Sequence, residues 1–237
     1  MVVCVSVDVE PDCPPFLHTF RGIEEGMGRL LELLEQENVK ATFFTTGEVA
    51  VKYPETVRKI VSLGHELGSH GFTHQDFTTM DQRTAEHEIR ASLETLSEFA
   101  PVISFRAPQL RFPYSYLRLL EAAGFLIDSS QAKYKISYYQ TPWSTSLTRV
   151  PVSVTSSVLR LPKWIRVPYL SALSSPAVLY VHPWEFVDLR KEKLRLDCRF
   201  KTGTAALDCL RSVLAFFKGR DANFLKIEDL VTDHGGV

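Results

Sequence analysis

The sequence predicts an α/β fold built on parallel strands, because strand-like and helix-like segments alternate at least five times along it. Such a rhythm fits either a β/α barrel or a doubly wound sheet. No Gly-x-Gly-x-x-Gly follows the first predicted strand, which argues against a dinucleotide-binding sheet and favours the barrel. The length of 237 residues fits one large domain of this kind as well as two small ones.

The first half of the chain carries the clearest alternation. Residues 2–8 are apolar and mostly β-branched, which is typical of a strand buried on both faces of a parallel sheet. Pro54 and Gly64 mark the start and the end of one helix. Further strands are predicted at 40–46, 65–70, 102–106 and 125–128, with helices at 22–37, 54–64, 81–99 and 113–123.

The second half is less regular. Between about 131 and 175 prolines interrupt the pattern repeatedly, and we interpret this stretch as an irregular insertion or edge elaboration. After it, the sequence predicts a strand at 177–182, a helix at 203–218 and a last strand at 223–227.

The composition is that of a soluble globular protein, with 45% hydrophobic and 23% charged residues. A formal net charge of −1 provides no basic surface for nucleic acid, and no window approaches the roughly 20 apolar residues of a membrane span. The N-terminus lacks the pattern of a signal peptide, so we expect a cytoplasmic protein. Of the four cysteines, Cys198 and Cys209 could pair, but a reducing compartment favours free thiols.

Two histidines, His70 and His74, lie four positions apart in the glycine-rich stretch from Gly64 to His74. One turn of helix would place such a pair on the same face, where two neutral imidazoles can share a cation of the zinc type. Gly68 and Gly71 would let the backbone pass close to a ligand. The spacing alone is weak evidence in a chain with seven histidines, so its setting has to decide.

Ionisable residues follow five separate predicted strands. In a β/α barrel the chemistry gathers at the carboxyl ends of the strands, so these side chains are predicted to meet in one site. The residues at the five strand ends are Asp8, Glu10 and Asp12, then His70 and His74, then Arg106, then Asp128, and finally His182 with Trp184 and Glu185.

Several motifs together resemble the polysaccharide deacetylase superfamily, the NodB-like domain of carbohydrate esterase family 4. They are Val39-Lys-Ala-Thr-Phe-Phe-Thr-Thr-Gly, Gly64-His-Glu-Leu-Gly-Ser-His-Gly-Phe-Thr-His, Phe105-Arg-Ala-Pro, Asp128-Ser-Ser and Tyr180-Val-His-Pro-Trp-Glu-Phe. The resemblance covers roughly residues 2–231 and implies a distorted (β/α)7-type barrel, with residues 1–237 as a single domain. The Asp-Val-Glu start and the His-Pro-Trp-Glu ending suggest one branch of the superfamily.

By resemblance, His70 and His74 are two ligands of a divalent metal, with zinc first and cobalt, nickel or manganese as alternatives. The family motif has two adjacent aspartates, whereas this chain has Val9 at the second position. We therefore assign Asp8 as the general base and Glu10 as the third ligand. Exchanged roles for these two acids, or Asp12 as the ligand, are the alternatives.

The resemblance also implies roles around the reacting amide. Arg106 would orient Asp8 through a bidentate pair, and the backbone N–H of Gln109 would complete an oxyanion site. His182 would be the general acid, paired with Asp128.

Trp184 would form a wall of the acetyl pocket. The predicted function is that of a metal-dependent hydrolase that removes N-acetyl groups from an amino-sugar glycan, a glycan precursor or a small acetylated substrate. One alternative is an allantoinase-like amidohydrolase acting on a cyclic amide or ureide, and another is a glycan-binding module without turnover.

Overall fold

Eight parallel strands form one sheet in the computed structural model, which describes residues 1–136, 138 and 145–232. The order along the sheet is β6-β5-β4-β3-β2-β1-β7, and β8 pairs with β1. The predicted α/β class with parallel strands is confirmed. The strands are β1 (Val2–Val9), β2 (Thr42–Thr45), β3 (Glu66–Ser69), β4 (Ser104–Phe105), β5 (Ile127–Asp128), β6 (Thr148–Arg149), β7 (Ala177–Val181) and β8 (Asn223–Phe224).

Helices connect most of these strands. A π-helical turn, Gly22–Gly26, leads into the first α-helix, and short 3-10 turns lie at Phe77–Thr79, Pro108–Leu110, Tyr114–Tyr116 and Pro183–Phe186. The described α-helices are α1 (Met27–Gln36), α2 (Gly47–Lys52), α3 (Pro54–Ser62), α4 (Gln82–Ser97), α5 (Leu117–Ala123), α6 (Ser156–Leu159), α7 (Lys163–Ser171), α8 (Leu196–Arg199), α9 (Thr204–Lys218) and α10 (Asp229–Thr232). None of them is both long and apolar enough to cross a membrane.

Strand β1 lies inside the sheet, because both of its long edges are paired. Ser6 to Val9 pair with β2, and Val3 to Val7 pair with β7. The strand is buried along nearly its whole length, as its apolar sequence predicts. The side chains that follow β1, β2, β3 and β7 therefore share one edge of the sheet.

The segment predicted to be an insertion supplies part of the barrel wall. Strand β6 pairs with β5, and Val152 forms an isolated parallel bridge with Ala132. Two residues further on, Val154 bridges Leu179 of β7, so the sheet curls back towards its own far edge. The sequence does not indicate this part of the barrel wall, because Pro151 and Pro162 break the strand pattern into short pieces. Residues 137 and 139–144 of the same predicted insertion lie outside the described residues.

The apolar core lies between the sheet and its helices. One cluster packs β1, β2 and β7 against α1 and α9, and a second packs α3, α4 and α5 against β3 and β4. Polar side chains occupy part of the barrel interior instead. Glu66 is buried and accepts hydrogen bonds from Thr42 at 2.6 Å and from Ser104 at 2.6 Å, which satisfies its carboxylate at the end of the barrel where the strands begin.

Candidate active site

The two acids at the end of β1 are buried and take different partners. Asp8 belongs to the strand, and Glu10 is the residue immediately after its last position. Asp8 Oδ1 lies 2.6 Å from Nη1 of Arg106. Glu10 is surrounded by three histidines instead: His70, His74 and His182. One acid therefore faces an arginine and the other faces imidazoles.

The His70–His74 pair is carried by a loop and not by a turn of helix. Gly71 has φ +75° and His74 has φ +60°, so the chain turns twice through the left-handed region within five residues. The predicted proximity of the two rings is present, with ring centroids 5.2 Å apart. The predicted helical turn is wrong, because a helix cannot accommodate these dihedral angles.

Glu88 of α4 holds this loop in place. Its Oε2 accepts the backbone N–H groups of Phe72 at 3.0 Å and Thr73 at 2.9 Å, and its Oε1 accepts the Thr73 hydroxyl at 2.9 Å. A buried carboxylate with three such donors is well satisfied. Glu88 gives no signal in the sequence, because it is one of several glutamates in a charged helix.

Three possible ligand atoms converge where β1 and β3 end. Glu10 Oε2 lies 2.5 Å from Nε2 of His74 and 3.3 Å from Nε2 of His70. The candidate ligand atoms of the three residues all lie within 4.8 Å of one another. The Nδ1 atom of His70 lies 2.7 Å from the carbonyl oxygen of Arg106. Since that carbonyl can only accept, Nδ1 carries the proton and Nε2 presents its lone pair.

These residues fit a divalent metal. Nε2 of His74 is buried and has no hydrogen-bond partner among the described residues, although the Glu10 carboxylate is adjacent. Buried polar atoms are normally paired, and a cation coordinated by this nitrogen would satisfy it. Two imidazoles and one carboxylate are a ligand set typical of catalytic zinc sites, where a further coordination position stays open. Glu10, His70 and His74 are the residues that would hold the metal.

Electrostatics in the site favour the charged forms of Glu10 and His74. Burial by itself would raise the pKa of Glu10, but the charges of His74 and His182, together with the close contacts of His70 and His74, lower that pKa well below its usual value. Burial opposes protonation of His74, but Glu10 raises the pKa of its imidazole. The Glu10 carboxylate and the His74 imidazole therefore stabilise each other's charged form.

Arg106 contacts Asp8 through one nitrogen, so the predicted bidentate pair is wrong. Its Nη1 donates to Asp8 and, at 2.8 Å, to the hydroxyl of Ser6. Its Nη2 donates to the hydroxyl of Ser129 at 2.9 Å. The guanidinium is fully buried and lies over the ring of Phe44, 4.1 Å from its centroid. Two serines occupy the donors that a bidentate pair would use, yet the arginine still fixes the Asp8 carboxylate.

Asp12 is a structural residue of the loop after β1 and not an alternative ligand. Its two oxygens accept the backbone N–H groups of Gly22 at 2.8 Å and Arg21 at 2.7 Å and the hydroxyl of Thr19 at 2.6 Å. Asp12 thereby fixes the entry to the π-helical turn. Its lone pairs are used for this purpose.

His182 pairs with Glu185 and not with Asp128, which corrects the predicted pairing. Nδ1 of His182 lies 2.8 Å from Oε1 of Glu185. Asp128 instead lies 2.7 Å from Nε of Arg149 and accepts the backbone N–H of Ser130 at 3.0 Å. The strand pairing of β5 with β6 brings Arg149 directly beside Asp128, so this aspartate is already neutralised by its neighbour in the sheet.

The charge state of His182 follows from two carboxylates. Burial disfavours its imidazolium, but Glu10 first and then the hydrogen bond to Glu185 raise the pKa of His182 from 6.5 to about 9. Burial raises the pKa of Asp128, although Arg149 opposes that effect. Both carboxylates thus favour the protonated form of His182.

A cavity of about 400 Å³ opens over these groups. Its lining includes Asp8, Glu10, His74 and His182, together with both residues predicted to contact substrate, Gln109 and Trp184. The structure thus brings eight of the nine predicted site residues together at or directly behind this cavity, and Asp128 is the one that belongs to a different ion pair.

Trp184 and Gln109 both line the cavity. The Trp184 indole stacks on His182, with centroids 4.7 Å apart, and its Nε1 points to Glu10 Oε1 at 3.4 Å. Gln109 and Leu110 both have positive φ, and both of their carbonyl oxygens accept from Nζ of Lys135. Lys135 and Tyr134 also line the cavity. The sequence offered no signal for these two residues, since they lie in the stretch where the pattern loosens.

Two cysteines also line the cavity, and their arrangement differs from the pair considered in the sequence. Cys13 and Cys198 both border it, and a hydrogen bond between their thiols is the main cause of the raised pKa of Cys13. Cys209 contacts the carbonyl of Arg160 instead. All four cysteines are free, and Cys198 and Cys209 do not pair.

A larger cavity, of about 510 Å³, lies beside α8 and the start of α9. Its lining includes Arg29, Arg190, Arg199 and Lys201 but none of the predicted site residues. Size alone therefore does not locate the chemistry, and the cluster of acids and histidines does.

A comparison with protein-family models matches residues 8–127 to the polysaccharide deacetylase family. The chain belongs to this family. The Peptidoglycan deacetylase-like protein FGM2 of Gibberella zeae is 30% identical over 170 residues, which are 68% of this chain and 50% of that protein. The Peptidoglycan deacetylase of Helicobacter pylori is 27% identical over 169 residues, which are 70% of this chain and 55% of that protein. The chain thus spans about half the length of these two relatives.

The fold of this deacetylase-family chain is that of solved relatives. A Mycobacterium smegmatis protein assigned to the polysaccharide deacetylases superposes with a TM-score of 0.71 at 22% identity. The superposition covers 98% of this chain and 89% of the other. The predicted distorted (β/α)7-type barrel is confirmed by this similarity and by the curled parallel sheet.

Proposed function

We propose that the protein is a metal-dependent hydrolase that removes N-acetyl groups from an amino-sugar glycan or a glycan precursor. The observation that carries this proposal is the convergence of Glu10, His70 and His74 beside Asp8. His182 lies close to the Glu10 carboxylate as well. Amide hydrolysis needs carbonyl polarisation, an activated water and protonation of the departing amine. The chemistry that a divalent cation supplies in such a site is Lewis-acid polarisation of the carbonyl and a lowered pKa of water.

Asp8 takes the role of general base. Its carboxylate lines the cavity and is oriented by Arg106 at 2.6 Å, so it can accept the proton of a water that attacks the amide. Glu10 is less suited to this role, because both of its oxygens face histidine nitrogens. This division favours Asp8 as base and Glu10 as ligand over the exchanged assignment.

His182 takes the role of general acid. Its Nδ1 is engaged with Glu185, and its Nε2 lies 3.7 Å from Oε1 of Glu10. That nitrogen faces the cavity side of the ring, where it can deliver a proton to the leaving nitrogen. Trp184 stacks on the ring and forms the wall next to the bound acetyl group, and the backbone N–H of Gln109 is the proposed oxyanion donor.

The glycan substrate is supported by the two relatives, both of which carry the name of peptidoglycan deacetylases. An acetylated amino sugar contains the amide bond that this set of groups would hydrolyse. Because the chain spans only about half of these relatives, the substrate is part of the proposal. The metal is proposed to be zinc, because two imidazoles and a carboxylate suit it, with cobalt, nickel and manganese as alternatives.

The decisive experiment measures acetate release from N-acetylglucosamine oligomers with added zinc, cobalt, nickel or manganese. We expect metal-dependent release by the unmodified protein and loss of at least about 100-fold in the His70→Ala/His74→Ala double variant. His87→Ala is a matched control, because His87 is an exposed histidine of α4. A double variant that keeps its activity would contradict the metal mechanism.

The same assay separates the other candidate functions. The departure at Val9, where the family motif has an acid, is the observation that keeps a cyclic amide or ureide as an alternative substrate. Turnover of allantoin without acetate release from the oligomers would establish that alternative. Oligomer binding without hydrolysis of any of these compounds would instead identify a glycan-binding module.

A further inference from the structure

His182 has a buried partner of its own that the family resemblance did not supply. Oε1 of Glu185 lies 2.8 Å from Nδ1 of His182 and also accepts the backbone N–H of His182 at 3.0 Å. Both contacts come from the short turn Pro183–Phe186, which joins the histidine to the glutamate three residues later. Ring and backbone of the histidine are therefore held by a single carboxylate oxygen.

The second oxygen of Glu185 is held by an arginine. Oε2 lies 3.1 Å from Nε of Arg160, and the two side chains are only 1% and 3% exposed. A carboxylate buried to this extent requires a compensating charge. Arg160 provides it, and this positive charge is the main opponent of burial in lowering the pKa of Glu185.

Arg160 is itself fixed by backbone carbonyls. Its Nη1 donates to the carbonyl of Phe200 at 2.6 Å, and its Nη2 donates to that of Asp197 at 2.7 Å. These carbonyls flank Cys198, which lines the active-site cavity. The arginine thus has a defined position, and so does the carboxylate that it neutralises.

We infer that Glu185 and Arg160 are the positioning residues of the general acid His182. Glu185 keeps the proton of the ring at Nδ1 and leaves Nε2 as the nitrogen that exchanges a proton with the substrate. Arg160 holds the glutamate in the orientation that this requires. Asp128 has no such role, because Arg149 and Ser130 occupy it. The inference deepens the proposed function and rests on it.

A structural explanation predicts a different result. If Glu185 only capped the turn, Glu185→Gln would retain activity, because its amide oxygen could still accept the backbone N–H of His182. The substitution removes the charge and preserves the shape. It therefore separates positioning of the proton from support of the backbone.

The experiment compares the zinc-loaded protein with Glu185→Gln, Asp128→Asn and Arg160→Lys. For Glu185→Gln we expect kcat for acetate release to fall roughly 10- to 100-fold with KM unchanged. Asp128→Asn should lose less. Arg160→Lys, which keeps a positive charge, should retain more activity than Arg160→Ala. Glu192→Gln is the matched control, since Glu192 is a half-buried glutamate paired with Arg21 and lies outside the site.

A spectroscopic measurement supplies the second readout. At a pH above the titration of His182, its ¹⁵N shifts should show the ring proton at Nδ1 in the unmodified protein and a mixture of the two neutral tautomers in Glu185→Gln, because one amide oxygen cannot serve both Arg160 and His182. If Glu185→Gln kept its kcat and its shifts while Asp128→Asn lost activity, the inference would be overturned. If Glu185→Gln does not fold, the pair Arg160→Lys and Arg160→Ala provides the same comparison.

Different results would overturn the proposed function and the positioning roles of Glu185 and Arg160. Absence of acetate release by the unmodified protein would overturn the proposed function, whereas the ring-state measurement would still report whether Glu185 fixes His182. Acetate release that is insensitive to Glu185 and Arg160 would leave the function intact and overturn only the positioning roles.

Discussion

His65 shows how one buried side chain makes the fold sensitive to acid. It precedes β3, and its Nδ1 accepts the backbone N–H of Ala41 at 3.1 Å. Burial is the main reason why the pKa of His65 is lowered from 6.5 to about 4, with Lys40 and Lys226 as smaller causes. A protonated Nδ1 could not accept this hydrogen bond, so the fold requires the neutral ring.

The stability should therefore fall as the pH decreases from about 6.5 to about 4. In this window the unfolded chain binds a proton that the folded protein excludes, so the free energy of unfolding decreases as the pH falls. The contribution lost is roughly 3 kcal/mol over the whole window. Urea unfolding of His65→Asn should show a shallower pH dependence, because an amide oxygen can replace Nδ1 without titrating.

The exposed His87 of α4 provides the comparison for this measurement. His87→Asn should keep the pH dependence of the unmodified protein. Equal slopes for His65→Asn and the unmodified protein would show that another group dominates the acid response.

At this scale, the sequence predicted which residues form the site better than it predicted their partners. Asp8, Glu10 and the two loop histidines were identified from motifs at strand ends. The partner of His182 could not be predicted in the same way. The pairing of β5 with β6, which is a tertiary contact, places Arg149 beside Asp128. Asp128 is therefore engaged, and Glu185 is the partner of His182.

Among the structural elements, the loop after β3 determines where His74 lies. Gly71 has φ +75°, and a Cβ at that position would lie 3.3 Å from the Phe77 ring. The Glu88 carboxylate holds the next two residues through their backbone N–H groups. The loop therefore has little freedom to accept a side chain at Gly71.

Gly71→Ala should destabilise the protein by about 1–2 kcal/mol, because a left-handed conformation is costly for an L side chain. It should also weaken zinc binding, since the strain can be relieved by moving His74. Urea unfolding and zinc titration measure the two effects.

Gly28→Ala is the matched control for this prediction. Gly28 is in α1, and a Cβ there would meet nothing within 4 Å. Alanine at this helical position should stabilise the protein by about 0.5–1 kcal/mol. A Gly71→Ala variant as stable as the unmodified protein would show that the loop adapts without cost.

Most long elements were predictable, and several short ones were not. The periodicity at α1, α3, α4 and α9 identified these helices. Helix α2 (Gly47–Lys52) and helix α7 (Lys163–Ser171) were missed, the first because it is short and the second because Pro168 lies inside it. Strands β4 and β5 lie inside the predicted strands 102–106 and 125–128, whereas β6 was not predicted, because two residues are too few for an alternating pattern.

Over the whole molecule, metal binding and folding should be coupled. Glu10 and His70 are separated by 60 positions, and only the folded sheet brings β1 and β3 close enough for both to contact one ion. A cation that binds the folded state and not the unfolded chain shifts the unfolding equilibrium by mass action.

Zinc at 100 times its dissociation constant should stabilise the protein by about 2.7 kcal/mol. For a chain of this size, that corresponds to an increase in Tm of roughly 5–10 °C. Calorimetry with zinc and with a chelator measures the shift. The His70→Ala/His74→Ala variant should lose it, and a shift of the same size in that variant would mean that zinc binds elsewhere.

The barrel was predictable as a class, but its closure was not. The alternation of strands and helices indicated parallel strands, and the absence of a dinucleotide motif favoured a barrel. The segment that approaches β7 contains prolines and, among the described residues, forms one isolated bridge with it. Such a contact depends on how the whole sheet curls, which local sequence patterns do not encode.

The bridge between Val154 and Leu179 is the seam at which the curled sheet approaches its own far edge. Arg160 comes six residues after one side of this seam, and His182 comes three residues after the other. The Arg160–Glu185 ion pair therefore links the two segments that follow this seam. In the proposed mechanism, closure of the barrel at this seam also positions the proton donor, His182.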